Sequence, residues 1–274
     1  MSPSSKSRPW RRVAAAALAA ALAAGAAGTL AWRALPDVTP LATRIPRTTA
    51  LLEQRRADAR RTGLAYAPDL RPVPLDAISP RLVEAVVLAE DAAFFGHGGF
   101  DWREIRSAAE QNLKAGRTVR GASTITQQLA KNLYLGTERT YGRKLKEAVL
   151  ALKLERTLSK RRILALYLNA AEWGPGVFGA EAAARHWFDR PASALDAAEA
   201  AALAAMLPAP RRAALSPAPA WLARRARRIL GLMRQTGRLD DDAYVEAAGR
   251  LEALLAAPPS TGDEEPPPDD EPAP

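Results

Sequence analysis

The chain contains no cysteine and is poor in histidine. Without any Cys among its 274 residues, disulfides, thiol nucleophiles and thiolate metal sites are excluded. Only His97 and His186 are present, and neither lies at a recognisable zinc-ligand spacing. No serine lies in the Gly-x-Ser-x-Gly turn that carries a nucleophile in α/β-hydrolases. We therefore predict no metal site built by the protein.

Strand patterns are also missing, because no runs of alternating β-branched residues occur. Hydrophobic residues make up 48% of the chain but aromatic ones only 6%, so Ala and Leu dominate and favour helices. Residues 79–257 carry a helical pattern almost throughout. Side chains able to cap a helix start stand at Thr124 (with Gln127), Ser159 and Asp196 (with Glu199). The sequence therefore predicts a mostly α fold.

The charge is strongly positive. The net charge is +9, and residues 261–274 carry six acids and no base, which leaves about +15 on the rest of the chain. A basic body favours an anionic partner, such as a nucleic acid, an anionic lipid or a phosphorylated substrate. No helix-turn-helix, zinc-finger or aromatic RNA-binding pattern is present, so we predict no nucleic-acid partner.

The N-terminal end predicts a membrane anchor. Residues 1–12 are basic, and residues 13–32 form an uncharged run as long as one membrane-crossing helix. Basic residues ahead of such a run favour a cytoplasmic N-terminus and an exported body. Two alternatives stay open: a cleaved signal peptide, because Ala-Ala-Gly-Ala-Ala resembles a cleavage zone, and a buried alanine-rich helix.

The other boundaries follow from composition. Prolines mark residues 33–50 as a linker, and residues 51–257 form the helical domain. Residues 258–274 are rich in proline and acids, which predicts a disordered tail.

Residues 88–102, LAEDAAFFGHGGFDW, end a helical run in two adjacent carboxylates, Glu90 and Asp91. We expect Glu90 at the helix end, beside Phe94. A carboxylate against aromatic rings is partly desolvated, and such a group is suited to act as a general base. The alternative is that both carboxylates form a solvated helix terminus.

Residues 121–135, GASTITQQLAKNLYL, begin with small residues whose backbone N–H groups can hold an anion. Ser123, Gln128 and Lys131 lie off the apolar face of the predicted helix. The alternative is a well-capped amphipathic helix without a ligand.

Cations and a further carboxylate follow in the next helical stretch. Arg143 and Lys144 share a helix face with Glu147, which is either surface pairing or a cationic site suited to a diphosphate. The turn around residues 174–176 is either a plain inter-helix turn or part of a sugar cleft, with Trp173 and Phe178 beside it. An arginine cluster is either a headgroup-binding patch or a solvated helix face: Arg224, Arg225, Arg227 and Arg228.

Together, four motifs within residues 77–217 resemble the monofunctional biosynthetic peptidoglycan transglycosylases of glycosyltransferase family 51. They are Glu-Asp-x-x-Phe-x-x-His-x-Gly from Glu90, Gly-x-Ser-Thr-Ile-Thr-Gln-Gln ending in Lys at 121–131, Arg-Lys-x-x-Glu at 143–147 and Ile-Leu-x-x-Tyr-Leu-Asn at 163–169. Ala122 and Trp187 depart from the family pattern without touching the chemistry.

The resemblance implies roles for eight residues. Glu90 would be the general base on the 4-hydroxyl of the acceptor sugar, and Glu147 the second carboxylate, at the donor phosphates. The substrate-binding residues would be Gly121, Ser123, Gln128, Lys131, Arg139 and Lys144, with the three cations at the pyrophosphate.

The resemblance also implies a lysozyme-like helical domain with a smaller membrane-proximal subdomain, behind one transmembrane helix. The activity would be inverting polymerisation of lipid II, with lipid II and the growing lipid-linked glycan as partners at the membrane. The chain would be a single-pass protein of the bacterial inner membrane, with its catalytic domain in the periplasm. Other cell-wall synthesis proteins are candidate partners. No cofactor is required, and a divalent cation (Mg or Mn) at the diphosphate is left open.

Two other functions stay open at this point. A lysozyme-like enzyme that cleaves peptidoglycan, a hydrolase or a lytic transglycosylase, would also use a glutamate in a helical cleft. A membrane-anchored scaffold of cell-wall assembly would keep the fold without activity.

Overall fold

The structure, a computed structural model, describes residues 9–63, 65–117, 121–137, 140–215 and 218–256. Within these ranges most of the chain is helical, which confirms the predicted fold class. The α-helices are α1 (Pro9–Ala34), α2 (Ala50–Thr62), α3 (Pro80–Glu90), α4 (Trp102–Ala115), α5 (Ile125–Tyr134), α6 (Tyr141–Thr157), α7 (Lys160–Ala170), α8 (Ala180–Phe188), α9 (Ala197–Met206), α10 (Ala220–Gln235) and α11 (Asp241–Leu255). The predicted acidic tail lies outside the described residues.

Helix α1 is not covered by the body. Among the described residues it is the one helix long and apolar enough to cross a membrane, and its span Val13–Ala34 is 0% buried. Leu18 and Leu30, for example, keep most of their surface exposed. The alternative of a buried alanine-rich helix is therefore wrong.

The core is centred on α9, in which every residue is buried. This helix packs against α3, α10 and α11, and α10 also packs against α3. Most α9 side chains are alanine, so these neighbours approach its backbone closely. A second layer is formed by α5, which packs against α2, α6 and α7.

The helix starts follow the capping patterns of the sequence. Complete capping boxes open α5, through Thr124 and Gln127, and α9, through Asp196 and Glu199. Each box satisfies two backbone N–H groups that the helix itself leaves unpaired. The predicted caps of α5 and α9 are confirmed, as is Ser159 at the start of α7.

A small sheet has the strand order β1-β3-β2, with β1 (Asp69–Leu70) parallel and β2 (Glu172–Gly174) antiparallel to β3 (Val177–Phe178). Trp173 and Phe178 are fully buried here, so they belong to the core and do not line a sugar cleft. Glu172 accepts two hydrogen bonds from Arg55 of α2 at 2.8 and 3.0 Å. Burial raises the pKa of Glu172, an effect that the Arg55 charge opposes.

The segment after α3 is tied to the start of α5 through Asp91. Its carboxylate accepts from the Ile125 backbone N–H at 3.1 Å and from His97 Nε2 at 2.9 Å. The His97 Nδ1 atom accepts from the Gly99 N–H at 3.1 Å, so Nε2 carries the ring proton. Asp91 therefore holds the segment that follows Glu90 against the start of α5.

Replacing Asp91 by asparagine is expected to lower the free energy of unfolding by about 1–3 kcal/mol, because one buried donor loses its acceptor. Denaturant unfolding at pH 7 measures this difference. Asp76→Asn is the control, since the Asp76 side chain is 85% exposed and is expected to change stability by less than about 0.5 kcal/mol. Equal stability of both variants would contradict the role of Asp91.

Candidate active site

The first carboxylate of the site is Glu90, the last residue of α3. Gln128 of α5 donates to Glu90 Oε2 at 2.8 Å, and Arg225 of α10 donates to Oε1 at 2.7 Å. The Glu90 side chain is only 9% exposed. Glu90 and Asp91 are therefore not a solvated helix terminus, and that alternative is wrong.

A chain of hydrogen bonds continues behind Glu90. The hydroxyl of Tyr167 on α7 donates to Gln128 Oε1 at 3.0 Å, which orients the amide so that its N–H group faces Glu90. Burial raises the pKa of Tyr167 well above its usual range, and the Glu90 charge raises it further. Tyr167 thus stays neutral and remains a donor at neutral pH.

The expected contact between Glu90 and Phe94 stays a prediction. Phe94 is buried, its ring is nearly perpendicular to the His97 ring, and the Lys160 ammonium lies 4.4 Å from its centroid. The aromatic side chain linked to Glu90, through Gln128, is Tyr167. The expectation of a partly desolvated carboxylate holds, but α5, α7 and α10 supply the environment.

The second carboxylate, Glu147 on α6, is 2% exposed. Its Oε2 accepts from Arg143 at 2.7 Å, and its Oε1 accepts from Lys144 at 2.6 Å. The Lys144 ammonium also donates to the Ser123 hydroxyl at 3.0 Å. Because the Lys144 side chain is 46% exposed, this cluster keeps a charged group at the surface.

The start of α5 connects the two carboxylates. Gln128 contacts Glu90, and Ser123, five residues earlier, contacts Lys144 of the Glu147 cluster. Lys131 lies three residues after Gln128 on α5, so both side chains share one side of that helix. Gly121 begins the described stretch that leads to Ser123. Arg139 lies outside the described residues, so its place is still a prediction.

Two arginine side chains in the described part of the chain, one beside each carboxylate, have a buried N–H group without an acceptor. Within the described ranges, Nε of Arg143 and Nε of Arg225 are buried without a hydrogen-bond partner. Buried donors are rarely left unpaired in proteins. A bound anion placed next to these arginines would supply the missing acceptors.

Arg225 was not predicted as a site residue. The sequence showed it only within an arginine cluster on an amphipathic helix. Its buried neighbours Trp221, Leu222, Ile229 and Leu230 hold that helix against the core, as expected of a helix with one apolar face. Their spacing indicates which α10 positions face the body, but it does not indicate that Arg225 reaches Glu90.

The donor set does not favour a metal ion at Glu147. Both of its oxygens already accept from cationic side chains. Among the described residues, no group of three or more His, Cys, Asp or Glu side chains could hold a metal ion. We therefore assign no step to a divalent cation.

These features define a class: a mostly helical domain in which the residues around the start of α5 link a recessed carboxylate to a cluster of cationic side chains. The transglycosylase family model matches residues 59–234. The chain therefore belongs to the transglycosylase family.

Three relatives of this chain share one name. A biosynthetic peptidoglycan transglycosylase from Nitrosospira multiformis is 48% identical over 188 residues, which cover 69% of this chain and 82% of the relative. The protein of that name from Laribacter hongkongensis is 51% identical over 166 residues, 61% of this chain and 73% of the relative. The one from Methylobacillus flagellatus is 61% identical over 134 residues, 49% of this chain and 58% of the relative. The resemblance found in the motifs is confirmed.

Proposed function

We propose that this peptidoglycan glycosyltransferase polymerises lipid II into glycan strands and releases the polyprenyl diphosphate. The observation that carries the proposal is that one stretch contacts both Glu90 and the Glu147 cluster, through Gln128 on α5 and through Ser123 just before α5. One recessed carboxylate and one cationic cluster are what a transfer from a diphosphate-linked sugar requires.

In the proposed reaction, Glu90 accepts the proton of the acceptor sugar 4-hydroxyl. The hydroxyl oxygen attacks the anomeric carbon of the donor, and the bond from that carbon to the diphosphate oxygen breaks. Because attack and departure occur on opposite faces, the anomeric configuration inverts. Gln128 and Arg225 hold the two Glu90 oxygens, which fixes the direction from which the base meets the hydroxyl.

The leaving group takes the bonding electron pair as a diphosphate. Lys131, Arg139 and Lys144 are proposed to neutralise its charge, and Ser123 and the backbone at Gly121 to line the same place. Glu147 holds Arg143 and Lys144 in position. Stabilising the charge that develops in the transition state is commonly the largest catalytic contribution.

A peptidoglycan-cleaving enzyme is the second candidate. Its leaving group is a sugar hydroxyl rather than a diphosphate, so it has no use for a dense cationic cluster. The Ser123–Lys144–Glu147 contacts therefore favour synthesis over cleavage.

The membrane location is proposed from two features. Helix α1 has the length and composition to cross a bilayer, and the basic residues before it favour an exported body. Large apolar side chains on α4, just before it and at the start of α6 are also exposed: Phe95, Trp102, Leu113, Tyr141 and Leu145. Exposed apolar side chains of this kind suit contact with lipid. We infer a single-pass inner-membrane protein with a membrane-proximal subdomain formed around α4.

We expect the purified full chain, placed in liposomes with labelled lipid II, to produce a ladder of glycan polymer on gels. Preformed glycan strands in the same liposomes are expected to keep their length. Shortening of preformed strands without polymer formation would establish the cleaving enzyme instead.

A further inference from the structure

The C-terminal end of α1 is capped by a buried lysine from α6. The last carbonyl groups of a helix have no partner within it. Lys153 Nζ donates to the carbonyl oxygens of Trp32 at 2.8 Å, Leu35 at 3.0 Å and Pro36 at 3.0 Å. Lys153 is 8% exposed. An ammonium group has three protons, so these three acceptors satisfy it completely.

Cations also surround the last aromatic residue of α1. The Lys153 ammonium lies 5.3 Å from the centroid of the Trp32 ring, and the Arg156 guanidinium lies 5.2 Å from it. Both cations stand at the C-terminal end of α1, where the helix dipole is negative. Cation–π contacts of this kind add to the stability of the junction.

The chain stays attached to the body after α1 ends. Val38 and Leu41 are buried in the core, although residues 33–50 were predicted as a linker. Arg162 of α7 donates to the Leu41 carbonyl at 2.6 Å. The structure therefore contains no free tether between α1 and the described part of the body.

The capping lysine shares its helix with the second carboxylate. Lys153 follows Glu147 by six residues on α6, which is about 9 Å along the helix axis. The end of α1 is thus hydrogen-bonded directly to the helix that carries the cationic cluster.

We propose that Lys153 is a positioning residue that docks the anchor helix on α6, so that α1 and the active site move as one unit at the membrane surface. This inference rests on the proposed function, in which α1 crosses the membrane and the substrates are lipid-linked. A docked helix holds the cationic cluster at a fixed height above the lipid, where the diphosphates lie. The proposed docking also requires that α1 remains part of the mature protein and is not cleaved.

Distances between spin labels test the docking without any need for turnover. The chain has no cysteine, so Leu30→Cys on α1 and Arg161→Cys on α7 give two specific labels in the full chain. Leu30 is 69% exposed, and the Arg161 side chain is 70% exposed. In liposomes we expect a narrow distance distribution for this labelled protein and a broad one after Lys153→Met.

Two further variants make the measurement specific. Lys146→Met is the matched control, because Lys146 is exposed on the same face of α6, two turns earlier. It is expected to keep the narrow distribution. Trp32→Leu removes the ring beside Lys153 and is expected to broaden the distribution without altering the charge. Circular dichroism establishes that each variant is folded.

Polymerisation in the same liposomes tests the positioning role. We expect kcat to fall about tenfold in Lys153→Met, since small misplacements of reacting groups are costly, and to stay unchanged in Lys146→Met. Three outcomes would overturn the docking: a narrow distance distribution in Lys153→Met, a broad one in the unsubstituted protein, or loss of the label at position 30 through cleavage of α1. A broadened distribution with full polymerisation overturns the positioning role. If no variant polymerises lipid II at all, the proposed function fails while the distances still decide the docking.

Discussion

Replacing Glu90 by glutamine is expected to reduce polymerisation of lipid II by about 10²–10⁴-fold, the range that a general base contributes. Glutamine keeps the shape of the side chain but cannot accept the proton of the acceptor hydroxyl. The loss is expected in kcat, because the variant can still bind both substrates. A fluorescence assay on labelled lipid II in liposomes measures it.

The fold of this variant is expected to survive for a specific reason. The new amide at position 90 can accept from Arg225 with its oxygen and donate to Gln128 if the Gln128 amide turns over. The Tyr167 hydroxyl can then accept from Gln128, because a hydroxyl both donates and accepts. We therefore expect a loss of no more than about 1–2 kcal/mol, from weakening a charge-assisted hydrogen bond.

Glu84→Gln is the matched control for Glu90→Gln. Glu84 lies on the same helix, and its side chain is 22% exposed, with Arg81 and Arg238 at 3.4 Å. It is expected to keep full activity. Wild-type turnover by Glu90→Gln, or equal losses in both variants, would refute the role of Glu90.

The second large effect is expected from Glu147→Gln. An amide can accept only one of the two hydrogen bonds that Arg143 and Lys144 donate, and it cannot balance their charge. We expect polymerisation to fall about 10²-fold, because the cations at the diphosphate lose their fixed positions. Unfolding free energy is expected to drop by about 1–3 kcal/mol, since a buried donor is left unpaired.

Glu155→Gln is the matched control for Glu147→Gln. Glu155 is a recessed carboxylate two turns further along α6, with a side chain 10% exposed. It accepts from Thr126 at 2.5 Å and from Lys160 at 2.8 Å. Both bonds end on Oε1, which the glutamine amide retains, so we expect a smaller loss of stability, from the missing charge beside Lys160, and full polymerisation. If Glu155→Gln lost as much activity as Glu147→Gln, the effect at Glu147 would be structural only.

The sequence predicted those parts of the site that depend on near neighbours. The Thr124 cap and the pairing of Glu147 with Arg143 and Lys144 each involve residues three or four positions apart, so helical periodicity is enough to find them. The order of the motifs then identified the family.

Contacts between distant residues were not predictable in the same way. Arg225 lies 135 residues from Glu90 in the chain, and their pairing depends on how α10 packs against α3. Lys153 lies 121 residues from Trp32, and its role as a cap depends on where α1 meets α6. Periodicity shows which side of a helix is buried, but it does not show which helix covers it.

The alanine side chains of α9 allow its neighbouring helices to pack closely. It lies against both α3, which ends at Glu90, and α10, which carries Arg225. Methyl groups are small, so α3 and α10 approach the α9 backbone closely, and they also pack against each other. The excess of alanine, an ordinary feature of composition, therefore permits the close packing from which Arg225 reaches Glu90.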